Sequence, residues 1–169
     1  IARDLVATIS VNGTDGEVTI ADKIFDILSS FPYFKANPTN LWTSQLSGDA
    51  LGRKNVFAFL EVTDTYKTVI YHSHMDTVGI EDYGAIAELA GDSDALCAYF
   101  STFSEDPEVQ ADAQSGDYLF GRGMLDMKSG VAVNLVNILY FSEHMDVLPG
   151  NLFLSVNPVE RSEERRVGK

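Results

Sequence analysis

Two short stretches of the sequence carry residue types that could bind a metal. A run of β-branched and aromatic residues ends in His74-Met75-Asp76, and further along a glycine turn, Gly121–Gly123, leads to Asp126. Imidazole and carboxylate groups both suit zinc. A carboxylate beside a ligand histidine can also accept the hydrogen of the other ring nitrogen and so fix the tautomer. The residue types therefore indicate metal-site chemistry shared between the two stretches.

The elements around these residues should bring them to one edge of a sheet. Residues 68–71 and 151–156 are rich in apolar and β-branched residues, which predicts buried strands. A helix predicted from Met127 to Phe141 leads into the second of these strands, as in half of a βαβ unit, so we expect parallel pairing here. Open α/β sheets place ligands beyond the carboxyl ends of their strands. Four side chains would converge at that edge: His74, Asp76, Asp126 and Glu160.

The rest of the pattern predicts an α/β fold with a mixed, largely parallel sheet flanked by helices. Strand 55–62 should be covered on both faces, and should form an antiparallel hairpin with strand 68–71. The helix over 127–141 should be buried nearly all round, because almost all its residues are apolar. The remaining expectations are a helix from about Val18 to Leu28, an irregular segment 34–53, short helices near 83–90 and 95–103, a loop over 104–116, and a short strand at 118–120.

Each candidate residue also has an ordinary structural explanation. His-x-Asp occurs often by chance, and Asp126 could simply cap its helix, although a cap can also be a ligand. His72 competes with His74 as a ligand, but it lies nearer the strand and we rank it as structural. The glycine turn before Lys128 resembles a phosphate-binding loop. However, Met127 stands where that loop needs glycine, and Asp126 would repel a phosphate.

Composition narrows the function classes. The chain has 169 residues and a net charge of −13, which disfavours nucleic acid and anionic membranes as partners. Its one cysteine, Cys97, excludes an intrachain disulfide and a thiolate zinc cluster. There is no apolar run of about eighteen residues and no visible signal peptide, although the chain starts at Ile1 rather than Met. We expect a cytoplasmic protein without nucleic-acid or membrane partners.

The last nine residues differ from the rest. Residues 161–169 hold four of the twelve basic residues and follow a strand pattern without a turn. We interpret them as a non-native tail and residues 1–160 as the N-terminal part of a catalytic domain.

The order of the motifs resembles one enzyme family. The stretch from Tyr71 to Val78 and the stretch Phe120-Gly-Arg-Gly-Met-Leu-Asp-Met-Lys-Ser-Gly130, followed by a strand that ends in Glu160, are similar to the motifs of the M20 family of dinuclear zinc hydrolases. The long spacing between the two motifs, and Ser10-Val11-Asn12-Gly13-Thr14, look most like the arginine-utilisation (RocB-type) branch.

The resemblance implies a role for each candidate residue. His74 would bind one zinc ion, Asp76 would hold the His74 imidazole, and Asp126 would bridge two metal ions. The peptide bond between Asp126 and Met127 would be cis. Glu160 would be the general base. Arg161 stands where the family has a metal-binding glutamate, so we expect the remaining ligands, and a domain that could form a homodimer, beyond residue 169.

The implied activity is zinc-dependent hydrolysis of an amide or peptide bond, with cobalt or manganese as possible substitutes for zinc. The substrate would be a small peptide or an N-acyl amino acid, in arginine or other amino-acid catabolism. With two metal-binding side chains, the chain itself should bind zinc weakly and be inactive. The alternative is a non-catalytic binding module that kept the fold and lost the metals.

Overall fold

A mixed four-stranded sheet lies at the centre of the computed structural model, which describes residues 1–62 and 65–159. The sheet contains β1 (Leu41–Gln45), β2 (Lys54–Leu60), β3 (Thr68–His74) and β4 (Asn151–Asn157). Their spatial order is β1-β2-β4-β3. The β1–β2 and β2–β4 pairs are antiparallel, whereas β3 and β4 run parallel. The predicted α/β class and the mixed sheet are confirmed, but the sheet is not largely parallel, because only one of its three strand pairs is parallel.

Six α-helices accompany the sheet in the described residues. They are α1 (Ala2–Val6), α2 (Gly16–Ser29), α3 (Pro32–Ala36), α4 (Ser93–Phe100), α5 (Pro107–Ser115) and α6 (Ser129–Glu143). Short 3₁₀ segments occupy Pro38–Asn40, Glu81–Leu89 and Met145–Val147, and a wide irregular turn spans Met124–Lys128. Among the described residues, no helix is both long and apolar enough to cross a membrane.

The core lies between one face of the sheet and the two long helices. Burial alternates along β2, where Val56, Ala58 and Leu60 are fully buried. From α2 and α6, Ile24 and Leu135 belong to the same buried cluster. The other face carries a partly exposed stack of aromatic rings from three strands: Trp42, Phe57 and Phe153. The prediction that strand 55–62 is covered on both faces was therefore wrong, because only one face packs against helices.

Strand neighbours also differ from the predicted hairpin. β4 lies between β2 and β3, pairing Leu154 with Ala58 on one side and with Tyr71 on the other. β2 and β3 are consecutive strands in the chain but are not hydrogen-bonded to each other. The short connection permitted a hairpin, but the apolar β4 takes the central position where both of its edges are paired.

Several local predictions were wrong for identifiable reasons. β1 lies inside the segment predicted as irregular, and α5 lies inside the predicted loop 104–116. Residues 118–120 are outside any strand. Helix α6 is not buried all round, because Val133, Val136 and Tyr140 form an exposed stripe on it. The helices over the predicted ranges 18–28, 83–90 and 95–103 are found as α2, the 3₁₀ segment Glu81–Leu89 and α4.

Candidate metal site

The end of β3 places His74 at the edge of the sheet. Parallel pairing runs to its last residue, where His74 is opposite Asn157, and the Met75 amide continues it by donating to the Asn157 carbonyl at 2.9 Å. The His74 side chain is 7% exposed and that of Asp76 is completely buried. Both side chains therefore lie in the interior, His74 at the last residue of β3 and Asp76 two residues further on.

The glycine turn brings Asp126 to the same place. Gly123 has a φ of 75°, a left-handed conformation that favours glycine, and its carbonyl accepts the Lys128 amide at 2.8 Å. The Asp126–Met127 peptide bond is cis, as the resemblance implied. Because Asp126 and Met127 leave helical geometry inside this turn, α6 begins only at Ser129.

Both ring nitrogens of His74 face carboxylates. Nε2 lies 2.9 Å from Asp126 Oδ1, and Nδ1 lies 3.1 Å from Asp76 Oδ1. The predicted approach of His74 to Asp126, with Asp76 against the imidazole ring, is therefore observed. Asp76 is buried, whereas the Asp126 side chain is 54% exposed and lines a cleft of about 370 Å³ together with Thr77 and the glycine turn. One carboxylate is placed to hold the ring, and the other is accessible to an ion.

These donors fit a metal in type and nearly in distance. Histidine nitrogen and aspartate oxygen are both zinc ligands at about 2.0–2.2 Å, so two of them on one tetrahedral ion lie roughly 3.4 Å apart. The observed 2.9 Å between His74 Nε2 and Asp126 Oδ1 is a hydrogen-bond distance, about 0.5 Å shorter than that separation, so a bound ion would require a small movement of one side chain. Across residues 1–62 and 65–159, however, no group of three or more His, Cys, Asp or Glu side chains could hold a metal ion. The described residues therefore offer two candidate ligands rather than a complete metal site.

Of the other candidates, His72 does not belong to this pair. His72 is exposed on β3, two residues before His74. Glu160, the predicted general base, lies outside the described residues.

Lys128 is a buried residue of the site that sequence reasoning weighed only as part of a phosphate-binding loop. It is 1% exposed, and its Nζ donates to the Thr8 carbonyl at 2.6 Å. Burial lowers the pKa of Lys128 to about 8, with a smaller contribution from the charge of Lys23. The contact joins the irregular turn Met124–Lys128 to the segment after α1. Its only sequence signal was a lysine two residues after Asp126 at the start of an apolar helix.

Comparison with known proteins gives two relatives from Bacillus subtilis (strain 168). The chain is 48% identical to Protein RocB over 164 residues, which is 96% of this chain and 29% of RocB. It is 35% identical to Uncharacterized protein YqjN over 168 residues, which is 98% of this chain and 30% of YqjN. The chain thus spans about three-tenths of the length of these curated relatives. No protein-family model matches it.

Solved structures identify the fold. Human carnosine dipeptidase 1 superposes with a TM-score of 0.58 at 17% identity, over 95% of this chain and 31% of that one. The M20 family metallo-carboxypeptidase Sso-CP2 from Sulfolobus solfataricus superposes with a TM-score of 0.60 at 15% identity, over 93% of this chain and 29% of that one. The fold is therefore the α/β fold of M20 metallopeptidases. In sequence the chain is similar to RocB, and the predicted resemblance to the RocB-type branch is confirmed.

Proposed function

We propose that this chain contributes part of the active site of a metal-dependent hydrolase that cleaves amide or peptide bonds. The observation that carries the proposal is His74, whose ring nitrogens face Asp76 on one side and Asp126 on the other. A carboxylate behind the ring is a usual partner of a histidine metal ligand, and the accessible carboxylate in front is a side chain that zinc also binds. The relatives are about three times longer than this chain, so the further ligands would come from sequence outside it.

The chain's own residues take distinct roles in this proposal. Asp76 accepts the Nδ1 hydrogen of His74 and so directs the Nε2 lone pair toward the metal. Asp126 would supply a carboxylate ligand to the metal, and Glu160 would act as the general base that takes and returns a proton. The ions, when bound, would supply an activated water and polarise the scissile carbonyl.

The finer parts of the proposal follow from kinship rather than from geometry. We infer zinc as the metal, with cobalt or manganese as substitutes, and a small peptide or an N-acyl amino acid as the substrate. We further propose a role in amino-acid catabolism, arginine use included, and a cytoplasmic location. A homodimer would form through a domain that this chain does not contain.

The test combines metal analysis and kinetics on the full-length protein encoded by the gene. His74→Ala and Asp126→Asn should each lose bound zinc, because each removes a ligand. Glu160→Gln should keep its zinc while kcat falls by about 10²–10⁴, the usual contribution of a positioned base. His72→Ala is the matched control, since it removes an exposed imidazole two residues from His74 and should leave zinc content unchanged.

Four outcomes would contradict parts of the proposal. Equal zinc loss in His72→Ala and His74→Ala would show that the metal is not bound as proposed. Zinc loss in Glu160→Gln would make Glu160 a ligand rather than the base. A wild-type full-length protein with neither stoichiometric metal nor hydrolysis would favour the non-catalytic binding module. The 169-residue chain itself should show weak zinc binding, so a stoichiometric sub-micromolar site in calorimetry would contradict the partial site.

A further inference from the structure

A loop near the N-terminus is joined to the residues that leave β3. Val11 and Thr77 form an isolated parallel bridge, with the Asn12 amide donating to the Thr77 carbonyl and the Thr77 amide donating to the Ser10 carbonyl, both at 2.9 Å. The Ser10 hydroxyl adds a bond to the Met75 carbonyl at 2.6 Å. These bonds hold residues 10–12 alongside residues 75–77, although about sixty-five positions separate them in the sequence.

The side chain of Asn12 reaches from this loop to Asp76. Its Nδ2 donates to Asp76 Oδ2 at 3.1 Å, while Oδ1 of the same carboxylate lies 3.1 Å from His74 Nδ1. Only the amide nitrogen of Asn12 can face Asp76, because its oxygen would repel the carboxylate. Asp76 is completely buried, so rotation of its carboxylate cannot be compensated by water. The amide thus fixes one oxygen and leaves the other directed at the imidazole.

The loop is in turn anchored from behind. The Gly13 amide donates to Glu17 Oε2 at 2.6 Å, and Glu17, on the first turn of α2, is completely buried. Arg53 lies 3.3 Å from the same Glu17 oxygen and 2.6 Å from Asp49. A buried, paired carboxylate on a helix gives the loop a fixed attachment next to Asn12.

We propose that Asn12 is a positioning residue of the candidate metal site. It acts through Asp76, keeping the Nδ1 hydrogen of His74 on the carboxylate side so that Nε2 is available as a ligand. The role of Asn12 in metal binding rests on the proposed function, but its effect on His74 through Asp76 can be tested without that function. A residue that orients a ligand in this way commonly changes metal affinity by about 10–100-fold when it is replaced.

The first measurement is the tautomer of His74 in the 169-residue chain. The sequence has three histidines, so the ring nitrogen signals in an NMR spectrum are few enough to assign. In Asn12→Leu, which keeps the approximate size but removes the donor, the fraction of His74 rings that carry a hydrogen on Nδ1 should fall. His144 is an internal reference. Its Nδ1 contacts the Tyr140 carbonyl of α6 at 2.8 Å rather than any residue of the Asn12 loop, so its signals should not move.

The second measurement is zinc affinity in the full-length protein, by competition with a chromogenic chelator. Asn12→Leu should weaken zinc binding by about 10–100-fold. Thr14→Val is the matched control: its hydroxyl donates to the Val11 carbonyl at 2.7 Å, so the change loosens the same loop while leaving the Asn12 amide in place. It should leave both the zinc affinity and the His74 tautomer as in wild type. If Asn12→Leu does not fold, Asn12→Asp keeps the side-chain shape and should show the same losses.

The two levels of the proposal fail differently. An unchanged His74 tautomer together with a zinc affinity within twofold of wild type in both Asn12 variants would overturn the positioning role. Equal losses in Thr14→Val would also overturn it, because the loop as a whole would then be responsible. Absence of zinc binding in the wild-type full-length protein would refute the proposed function, while the tautomer measurement would still decide whether Asn12 orients His74 through Asp76.

Discussion

At the site edge of the sheet, side chains are held by partners far away in the sequence, whereas the two helices in the connection from Gly79 to Asp117 are capped by residues directly next to them. Lys128 is bonded to Thr8 and Asp76 to Asn12. In the connection, α4 and α5 each begin at an aspartate that caps its own helix, and α5 ends at Gly116 in a left-handed conformation. The geometry of the site should therefore be sensitive to distant packing, and that of α4 and α5 to local conformational preference.

The largest effect expected from this contrast is at the glycines. In Gly123→Ala, a Cβ would lie 2.4 Å from Thr77 Cγ2 at a residue whose φ is +75°. The left-handed conformation costs about 1–2 kcal/mol, and forcing a group into a filled space adds about 1–3 kcal/mol. We expect Gly123→Ala to lower the free energy of unfolding by the sum of these two costs, measured by chemical denaturation.

Gly116→Ala is the matched variant in the connection. Gly116 has nearly the same φ, +78°, but a Cβ there would meet nothing within 4 Å. Only the conformational cost of about 1–2 kcal/mol should appear. Equal losses in the two variants would show that Thr77 moves away without cost, and that the glycine turn is not held tightly.

A smaller effect is expected at the helix caps of the connection. The Asp106 carboxylate accepts the amides of Glu108 at 3.0 Å and Val109 at 3.2 Å. Asp106→Ala should lower the free energy of unfolding by about 1 kcal/mol, the usual worth of such a cap. Asp106→Asn should retain most of the stability, because asparagine caps a helix about as well. Thermal unfolding of the three proteins would show whether the cap or the charge matters, and a large loss in Asp106→Asn would contradict local capping.

The smallest effect is a difference in pH dependence between a buried and an exposed acid. Burial raises the pKa of Glu17 above its ordinary 4.5, opposed by hydrogen bonds and by the charge of Arg53. Between pH 4.5 and the raised value, the native state binds more protons than the unfolded state, so the contribution of Glu17 to stability falls as pH rises. The stability of wild type relative to Glu17→Gln should therefore be greatest below this window and decline through it.

Asp82 in the connection should show the opposite trend. A hydrogen bond from Arg122 lowers the pKa of Asp82 below its ordinary 3.8. The stability of wild type relative to Asp82→Asn should rise as pH increases to 3.8 and stay constant above it. Urea denaturation at several pH values between about 3 and 7 would distinguish the two slopes. Slopes of the same sign would contradict the assigned environments.

The sequence by itself determined the two stretches that form the site and the parallel pairing of β3 with β4. A histidine and an aspartate at the end of an apolar strand, and a second aspartate after a glycine turn, predicted that His74 and Asp126 meet. Their approach was predictable because a helix leading into an apolar strand favours parallel neighbours, and parallel strands end at the same edge. The cap of α5 was also readable in Asp106-Pro107, but the polar composition of that segment favoured a loop.

Only the tertiary structure decided which strand lies between β2 and β3, and which residues stand behind His74. Hydrophobic periodicity specifies that a strand is buried, but it does not specify the strand's neighbours, so the central place of β4 was not predictable. Asn12, Glu17 and Lys128 carry no local signal for their partners. Each becomes a structural determinant because a buried polar group must find a hydrogen-bond partner, and that partner lies wherever the folded chain brings one within reach.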